Sequence, residues 1–244
     1  MRNDGRAADE LRPVELVTDF TENPLGSVLC SMGRTKVLCT VCQELSLPRW
    51  LRGSGQGWVT AEYSMLPGST DRRAQREVSQ GKLSGRTMEI QRLIGRSLRG
   101  VVDMRALGER TLWVDCDVLQ ADGGTRSAAI TGAYTALALA TQRLLRSGEL
   151  DRNPLRDSVA GVSVGVLGGE VILDLPYEED LRAEVDMNVV ATGGGRFVEV
   201  QGTGEEGTFS PEELRQLTEL ALEGIARLTE IQRRALEAGD GEVE

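Results

Sequence analysis

Two arginines at predicted helix starts are the groups best suited to chemistry in this 244-residue chain. Gly123-Gly124-Thr125-Arg126 stands between a strand-like segment, TLWVDCDVLQ from Thr111, and an alanine-rich helical one, SAAITGAYTALALATQRLL. A Gly-rich turn entering a helix aims unpaired backbone N–H groups at whatever lies over it, and the helix dipole favours an anion there. An arginine in the first turn adds a planar fork matched to phosphate oxygens. Ser84-Gly85-Arg86-Thr87 repeats the device where TMEIQRLIGRSLRGVV begins. Together they read as one phosphate site built from two elements. The plainer alternative is two helix starts that carry exposed arginines.

The second set of candidates is acidic. Tyr177 to Asp186 reads YEEDLRAEVD, with Glu178, Glu179, Asp180, Glu184 and Asp186 close behind a predicted strand. Carboxylates so near one another are costly unless solvated, paired with arginine or bound to a cation. Phosphoryl transfer uses a cationic site for phosphate, a proton donor for the leaving oxygen and often a divalent metal. Arg86 and Arg126 could supply the first; Asp180 and Asp186 could supply the other two. A polar, solvated loop is the alternative. The chain has neither a GxxxxGK[ST] loop nor the kinase signature set, so a bound phosphate is not expected to belong to ATP.

Composition narrows the chemistry further. There is no histidine, which removes Ser-His-Asp and Cys-His catalysis and imidazole metal ligands. Cys39 and Cys42 form a CxxC, but on a strand their side chains point to opposite faces, and no second pair exists. The four cysteines, with Cys30 and Cys116, are expected to be buried free thiols. A net charge of −10 argues against general attraction to nucleic acid, though not against a local basic groove. Positive charge is almost all arginine; Lys36 and Lys82 are the only lysines. The segment MRNDGRAADELRP is charged and lacks an apolar h-region, so no signal peptide is expected. No apolar run is long enough for a membrane span. The acidic end EAGDGEVE is expected to fray.

The elements that must position these groups follow from periodicity. VELVTDF, SVLCSMG, TKVLCTVCQEL and WVTAEYSML read as strands, the middle two as a hairpin turning at Met32-Gly33-Arg34-Thr35. PGSTDRRAQREVSQGKLSG is polar, strongly charged and aperiodic, the best candidate for a mobile functional loop. The first helix puts Ile90, Leu93, Ile94, Leu98 and Val101 on one face; Arg92, Arg96 and Arg99 fall elsewhere, on an expected solvated or subunit-facing surface. The second helix is small-residued on most sides and should be buried. DSVAGVSVGVLGGEVILDL reads as two strands turning at Gly168-Gly169, and VDMNVVATG and RFVEVQGTG as two more. Ser210-Pro211-Glu212-Glu213 is a capping box opening a last helix with the stripe Leu214, Leu217, Ala221, Ile225, Leu228, Ile231. The expectation is a single α+β domain over residues 1–244.

Six segments together resemble one family: RNDGR, GWVTAEYSMLP, GRTMEIQRLIGRSLR, ALGERTLWVDCDVLQADGGTR, EEDLRAEVDMNVV and GRFVEVQGTGEEGTFS, in order and over nearly the whole length. The chain resembles the bacterial ribonuclease PH family, phosphorolytic 3′-exoribonucleases (tRNA nucleotidyltransferases) of RNA processing that trim tRNA 3′ ends in the cytoplasm. The resemblance implies a fold of duplicated β-α units and a homohexamer built as a trimer of dimers. It implies that Arg86, Gly124, Thr125 and Arg126 bind inorganic phosphate, the co-substrate. It implies that Asp180 and Asp186 flank the scissile bond and act with Mg²⁺, as acid and metal ligand in either order. It implies that Arg72, Arg73 and Arg76 of the basic loop contact RNA. One stretch departs from the pattern: Gly68 stands where an arginine usually follows Met-Leu-Pro, and Asp71 where the pattern is neutral or basic. A non-catalytic RNA-binding ring subunit would be expected to lose the two arginines or the two aspartates, and all four are present. A small-molecule kinase would need a nucleotide loop that the chain lacks.

Overall fold

The structure, a computed structural model, describes residues 2–205 and 207–239. The last residues of the acidic end, 240–244, lie outside them.

Alternation along the early strands sets one face of each toward a core. In β5 (Thr111–Gln120), Leu112, Val114, Cys116 and Val118 are buried, and Trp113, Asp115 and Asp117 point the other way. With β1 (Val14–Thr18), β2 (Gly26–Met32), β3 (Thr35–Glu44) and β4 (Trp58–Met65) it forms a five-stranded sheet ordered β1-β2-β3-β5-β4. β1 is shorter than its sequence pattern, because Asp19 turns the chain with a positive φ. β4 runs parallel to β5 and the other pairs are antiparallel. A parallel pair needs a crossover. The chain makes it through the polar 66–84 segment, which includes one 3₁₀ turn at Glu77–Gln80, and then through α1 (Gly85–Val101) and the short α2 (Met104–Leu107). The C-terminal ends of β4 and β5 are therefore neighbours, and the starts of α1 and of α3 (Thr125–Arg146) lie beyond them.

The second sheet is antiparallel throughout. It orders β7 (Glu170–Leu173), β6 (Val159–Leu167), β8 (Val185–Thr192) and β9 (Phe197–Gly204) as β7-β6-β8-β9, with the expected turn at Gly168-Gly169. A single turn, α4 (Tyr177–Asp180), joins β7 to β8, and α5 (Pro211–Gly239) closes the described chain. The duplicated theme is thus two sheets, each followed by a long helix.

α3 lies between the sheets, packed on β2 and β3 on one side and β6 on the other, and it is buried on nearly every face through Thr141. Its small residues make this possible: a Cβ on Gly132 would sit 2.7 Å from Cys30 Cβ and 2.8 Å from Cys39 Sγ. Leu217, Ala221, Ile225 and Leu228 of α5 complete one continuous apolar cluster that spans both sheets. Leu214, at the head of the predicted stripe, is exposed instead. The capping box forms as read: Ser210 Oγ accepts from Glu213 N at 3.2 Å, and Glu213 Oε2 from Ser210 N at 2.7 Å.

One expectation needs correction. Cys30, Cys39 and Cys116 are buried free thiols, but Cys42 is exposed, because its odd spacing from Cys39 puts it on the outer sheet face. Arg99 is partly exposed. Its guanidinium covers Trp58, 4.5 Å from the ring centroid, and Nη1 donates to Val59 O at 3.0 Å. Arg96 pairs with Glu199 across to β9, and Arg92 is exposed.

Candidate active site

The turn from β5 into α3 is fixed by what presses on it. Gly123 and Gly124 both have positive φ, 71° and 65°. A Cβ on Gly123 would lie 2.7 Å from Tyr177 N and 2.8 Å from Leu175 O, and one on Gly124 would lie 2.8 Å from Arg12 Nη2. Only glycine admits both the backbone conformation and this close approach. Buried Thr35 ties the turn from below: its Oγ1 donates to Gly123 O at 2.7 Å and accepts from Asp122 N at 2.8 Å. The helix cap, Gly124, has no side-chain oxygen, so no side chain occupies the N–H groups that open α3. Tyr63 of β4 donates to Thr125 Oγ1 at 2.9 Å and joins the two parallel strands' ends at this point.

Arg126 emerges from that first turn. Its Nη1 donates to Glu89 of α1 at 3.0 Å and to Gln201 of β9, so one guanidinium spans both sheets' elements. Arg86 stands exposed in the first turn of α1. Ser84 caps that helix through Thr87 N at 3.1 Å, and Glu77 fixes the cap by accepting from Ser84 N at 3.0 Å and Thr87 Oγ1 at 2.9 Å.

The two aspartates approach from the second sheet. Asp180 ends α4, Asp186 is the second residue of β8, and the two carboxyl groups lie close enough to shift one another's protonation. Burial lifts Asp180 above the ordinary carboxylate range, opposed by the positive charges of Arg86 and Arg126. Burial and then the Asp180 charge push Asp186 up to about 6. Asn188, two residues on and on the same strand face, donates to Asp186 Oδ2 at 3.3 Å. Asp186 Oδ1 is buried with no partner among the described residues. Asp180, Leu181, Ala183, Asp186 and Glu205 line a cleft of about 440 Å³. Arg86 and Arg126 both act on Asp180, and Arg126 and Asp180 act on Asp186.

The basic loop is more dispersed. Arg72 and Arg73 are exposed and line neither this cleft nor a second hollow of about 470 Å³. Arg76 borders that hollow, where its charge acts on half-buried Asp117. Gly68 faces open space.

The polycarboxylate reading of 178–186 resolves into distinct environments. Glu179 is buried and salt-bridged to Arg2 at 2.7 Å, whereas Asp180 and Asp186 face the cleft. Among the described residues no cluster of three or more metal-type ligands is assembled. Two neighbouring carboxylates, one with an orphaned oxygen, would nevertheless suit a hard divalent cation. Sequence reasoning missed Tyr63, Glu89, Asn188, Gln201 and Glu205. Periodicity carried a signal for two of them: Asn188 shares a strand face with Asp186, and Glu89 lies three residues after Arg86 on a helix.

Comparison with known proteins matches residues 10–142 to the profile of the 3′ exoribonuclease family, domain 1, and residues 157–224 to its domain 2. The chain belongs to the 3′ exoribonuclease (RNase PH) family. Among curated members, Ribonuclease PH of Bacillus subtilis (strain 168) is 58% identical over 237 residues, 97% of each chain. Ribonuclease PH of Bacillus mycoides (strain KBAB4) is 56% identical with the same coverage. The fold is shared with rice Rrp46, TM-score 0.78 at 21% identity, covering 96% of this chain and 100% of that one. It is shared also with the Archaeoglobus fulgidus exosome with RNA bound to the active site, TM-score 0.79 at 22% identity, covering 94% and 91%. In family terms, α3 ends the first domain segment and the cleft aspartates belong to the second.

Proposed function

We propose that Arg86, Arg126 and the Gly124–Thr125 backbone hold inorganic phosphate against the 3′-terminal phosphodiester of an RNA, with Asp180 and Asp186 beside the bond that breaks. The enzyme is a phosphate-dependent 3′–5′ exoribonuclease that trims tRNA precursor 3′ ends and releases nucleoside 5′-diphosphates. The observation that supports the site assignment is that Arg86 and Arg126, each at a helix start, both act electrostatically on Asp180, which lines one cleft with Asp186.

The chemistry follows from that arrangement. An oxygen of phosphate attacks the terminal phosphorus in line, and a new P–O–P link forms as the P–O3′ bond breaks. Both guanidinium groups balance the charge that grows on the phosphoryl oxygens. The departing 3′ oxygen needs a proton, and a carboxylic acid with a raised pKa is a competent donor near neutral pH. Asp186 or Asp180 fills that place. Mg²⁺ held by Asp180 and Asp186 would neutralise phosphoryl charge. One phosphodiester is exchanged for a diphosphate link, so the step runs readily in reverse as nucleotidyl transfer. Arg72, Arg73 and Arg76 guide the RNA toward the cleft.

Around this site we infer a homohexamer, a trimer of dimers, in which the 244 residues act as one catalytic domain on tRNA and rRNA ends in the cytoplasm. No helix among the described residues is long and apolar enough to cross a membrane. Incubation of the purified protein with 3′-extended RNA tests the reading. Nucleoside diphosphates should form only when phosphate is present. Arg126→Ala should reduce kcat/KM for phosphate by about 10²–10³. Equal turnover of that variant at limiting phosphate would place the site elsewhere.

A further inference from the structure

Three arginines near the start of the chain make contacts that the phosphate and acid assignments leave unused. Arg2 and Arg12 are 7% and 4% exposed, and both run into the segment between β7 and α4. Arg12 makes a two-pronged pair with Asp174, Nη2 to Oδ1 at 2.6 Å and Nε to Oδ2 at 3.0 Å, and its backbone N–H adds a third bond to Oδ2 at 2.8 Å. Its Nη1 reaches the other way, to Asp122 O at 2.6 Å, and its Nη2 lies against Gly124. One side chain therefore holds the phosphate turn on one side and the approach to α4 on the other. Arg2 pairs with buried Glu179 through Nε and Nη2, the shortest contact 2.7 Å, and donates to Leu173 O and Asp174 O at 2.7 and 3.0 Å. Glu179 is the residue before Asp180. Arg6 adds a bond to Asp174 O at 3.1 Å. Asp174 itself has a φ of 55° and is fully buried, a conformation that persists only when its surroundings impose it.

On the reading under Proposed function, we infer that Arg12 and Arg2 are positioning residues with separable roles. Arg12, through Asp174, sets the distance between the phosphate turn and the acid-bearing segment. Arg2, through Glu179, sets the height of Asp180 in the cleft. Neither reaches the cleft-lining surface. Rigid bidentate pairs suit this task, since they fix angle as well as distance. A displacement near 1 Å at reacting groups is enough to cost about 10²-fold in rate.

The roles predict different kinetic signatures. Arg12→Lys keeps the charge but loses the fork; it should raise the phosphate KM about tenfold or more and change kcat little. Arg2→Lys should lower kcat by about ten- to a hundredfold and leave the phosphate KM within about twofold of wild type. Constants are taken per folded enzyme, with the folded fraction read from denaturation curves. Arg126→Ala serves as the control for the phosphate site. Loss of phosphate response in Arg126→Ala together with wild-type constants in both lysine variants would overturn the positioning roles and leave the site intact. Normal kinetics in Arg126→Ala would overturn the site itself. Should either lysine variant fail to fold, hydrogen exchange of the wild-type protein decides. Saturating inorganic phosphate should slow exchange not only at 123–127 but also at 2–12 and 172–180. Protection confined to 123–127 would refute the coupling.

Discussion

Asp186→Asn separates catalysis from stability in opposite directions. Burial and the Asp180 charge raise the folded pKa of Asp186 from 3.8 to about 6. The folded protein then holds its proton more tightly than the unfolded chain does. Its contribution is neutral below the unfolded value, becomes unfavourable as pH rises through the window from 3.8 to about 6, and is fully unfavourable above it. A shift of about two units is worth about 3 kcal/mol at most, and solvent in the open cleft reduces that to about 1–2 kcal/mol. Asparagine keeps the shape, can still bond Asp180 and Asn188, and removes the charge. The variant should lose about 10²–10³ in turnover. Without Mg²⁺ and phosphate at about pH 8 it should also be about 1–2 kcal/mol more stable, a few degrees in Tm. At about pH 5 the gain should fall to about half. Denaturant titrations with chelator at the two pH values, at one fixed protein concentration, measure it. Mg²⁺ should then stabilise the wild type and not the variant. An Asn variant that is active, or no more stable than wild type at pH 8, refutes the account of Asp186 as a strained, functional carboxyl.

Gly68 faces open space, so Gly68→Arg fits without strain and should add about one phosphate contact. The log–log salt slope of RNA affinity should steepen by about 0.7, with turnover at saturating RNA hardly changed. Unchanged affinity and slope would mean that the loop already compensates. Sedimentation should give a hexamer, since joining several weak basic loops raises their effective concentration on a chain of net charge −10; a fully active monomer at nanomolar concentration contradicts this. Gly132→Ala should cost about 1–3 kcal/mol, because the new methyl meets Cys30 and Cys39; a neutral effect on the denaturation midpoint would show that α3 can move aside.

The helix starts were legible because their signals are local. Gly124 and Ser84 lie next to the arginines they present, and a capping pattern or glycine pair needs no knowledge of distant chain. The same holds for the turn at Gly168-Gly169 and for the box at Ser210. What stayed hidden was pairing across the fold. YEEDLRAEVD looks uniform as a string, yet Glu179 is neutralised by Arg2 while Asp186 is left with an orphaned oxygen. Nothing within ten residues distinguishes them. MRNDGRAADELRP read as an uninformative charged start, although an arginine that becomes buried must find a carboxylate somewhere. The Arg99–Trp58 stacking was hidden for a related reason: Trp58 comes from another element.

The Arg2–Glu179 pair also has a consequence in time. The two residues are separated by 177 positions, so on a ribosome Arg2 waits for roughly ten to thirty-five seconds before its partner is made. Through that interval a nascent chain can carry both phosphate-suited arginines with neither aspartate in place. The second sheet must be synthesised and docked on α3 before the last charges are neutralised. The arginines and the aspartates can come together only once that second half of the fold has formed.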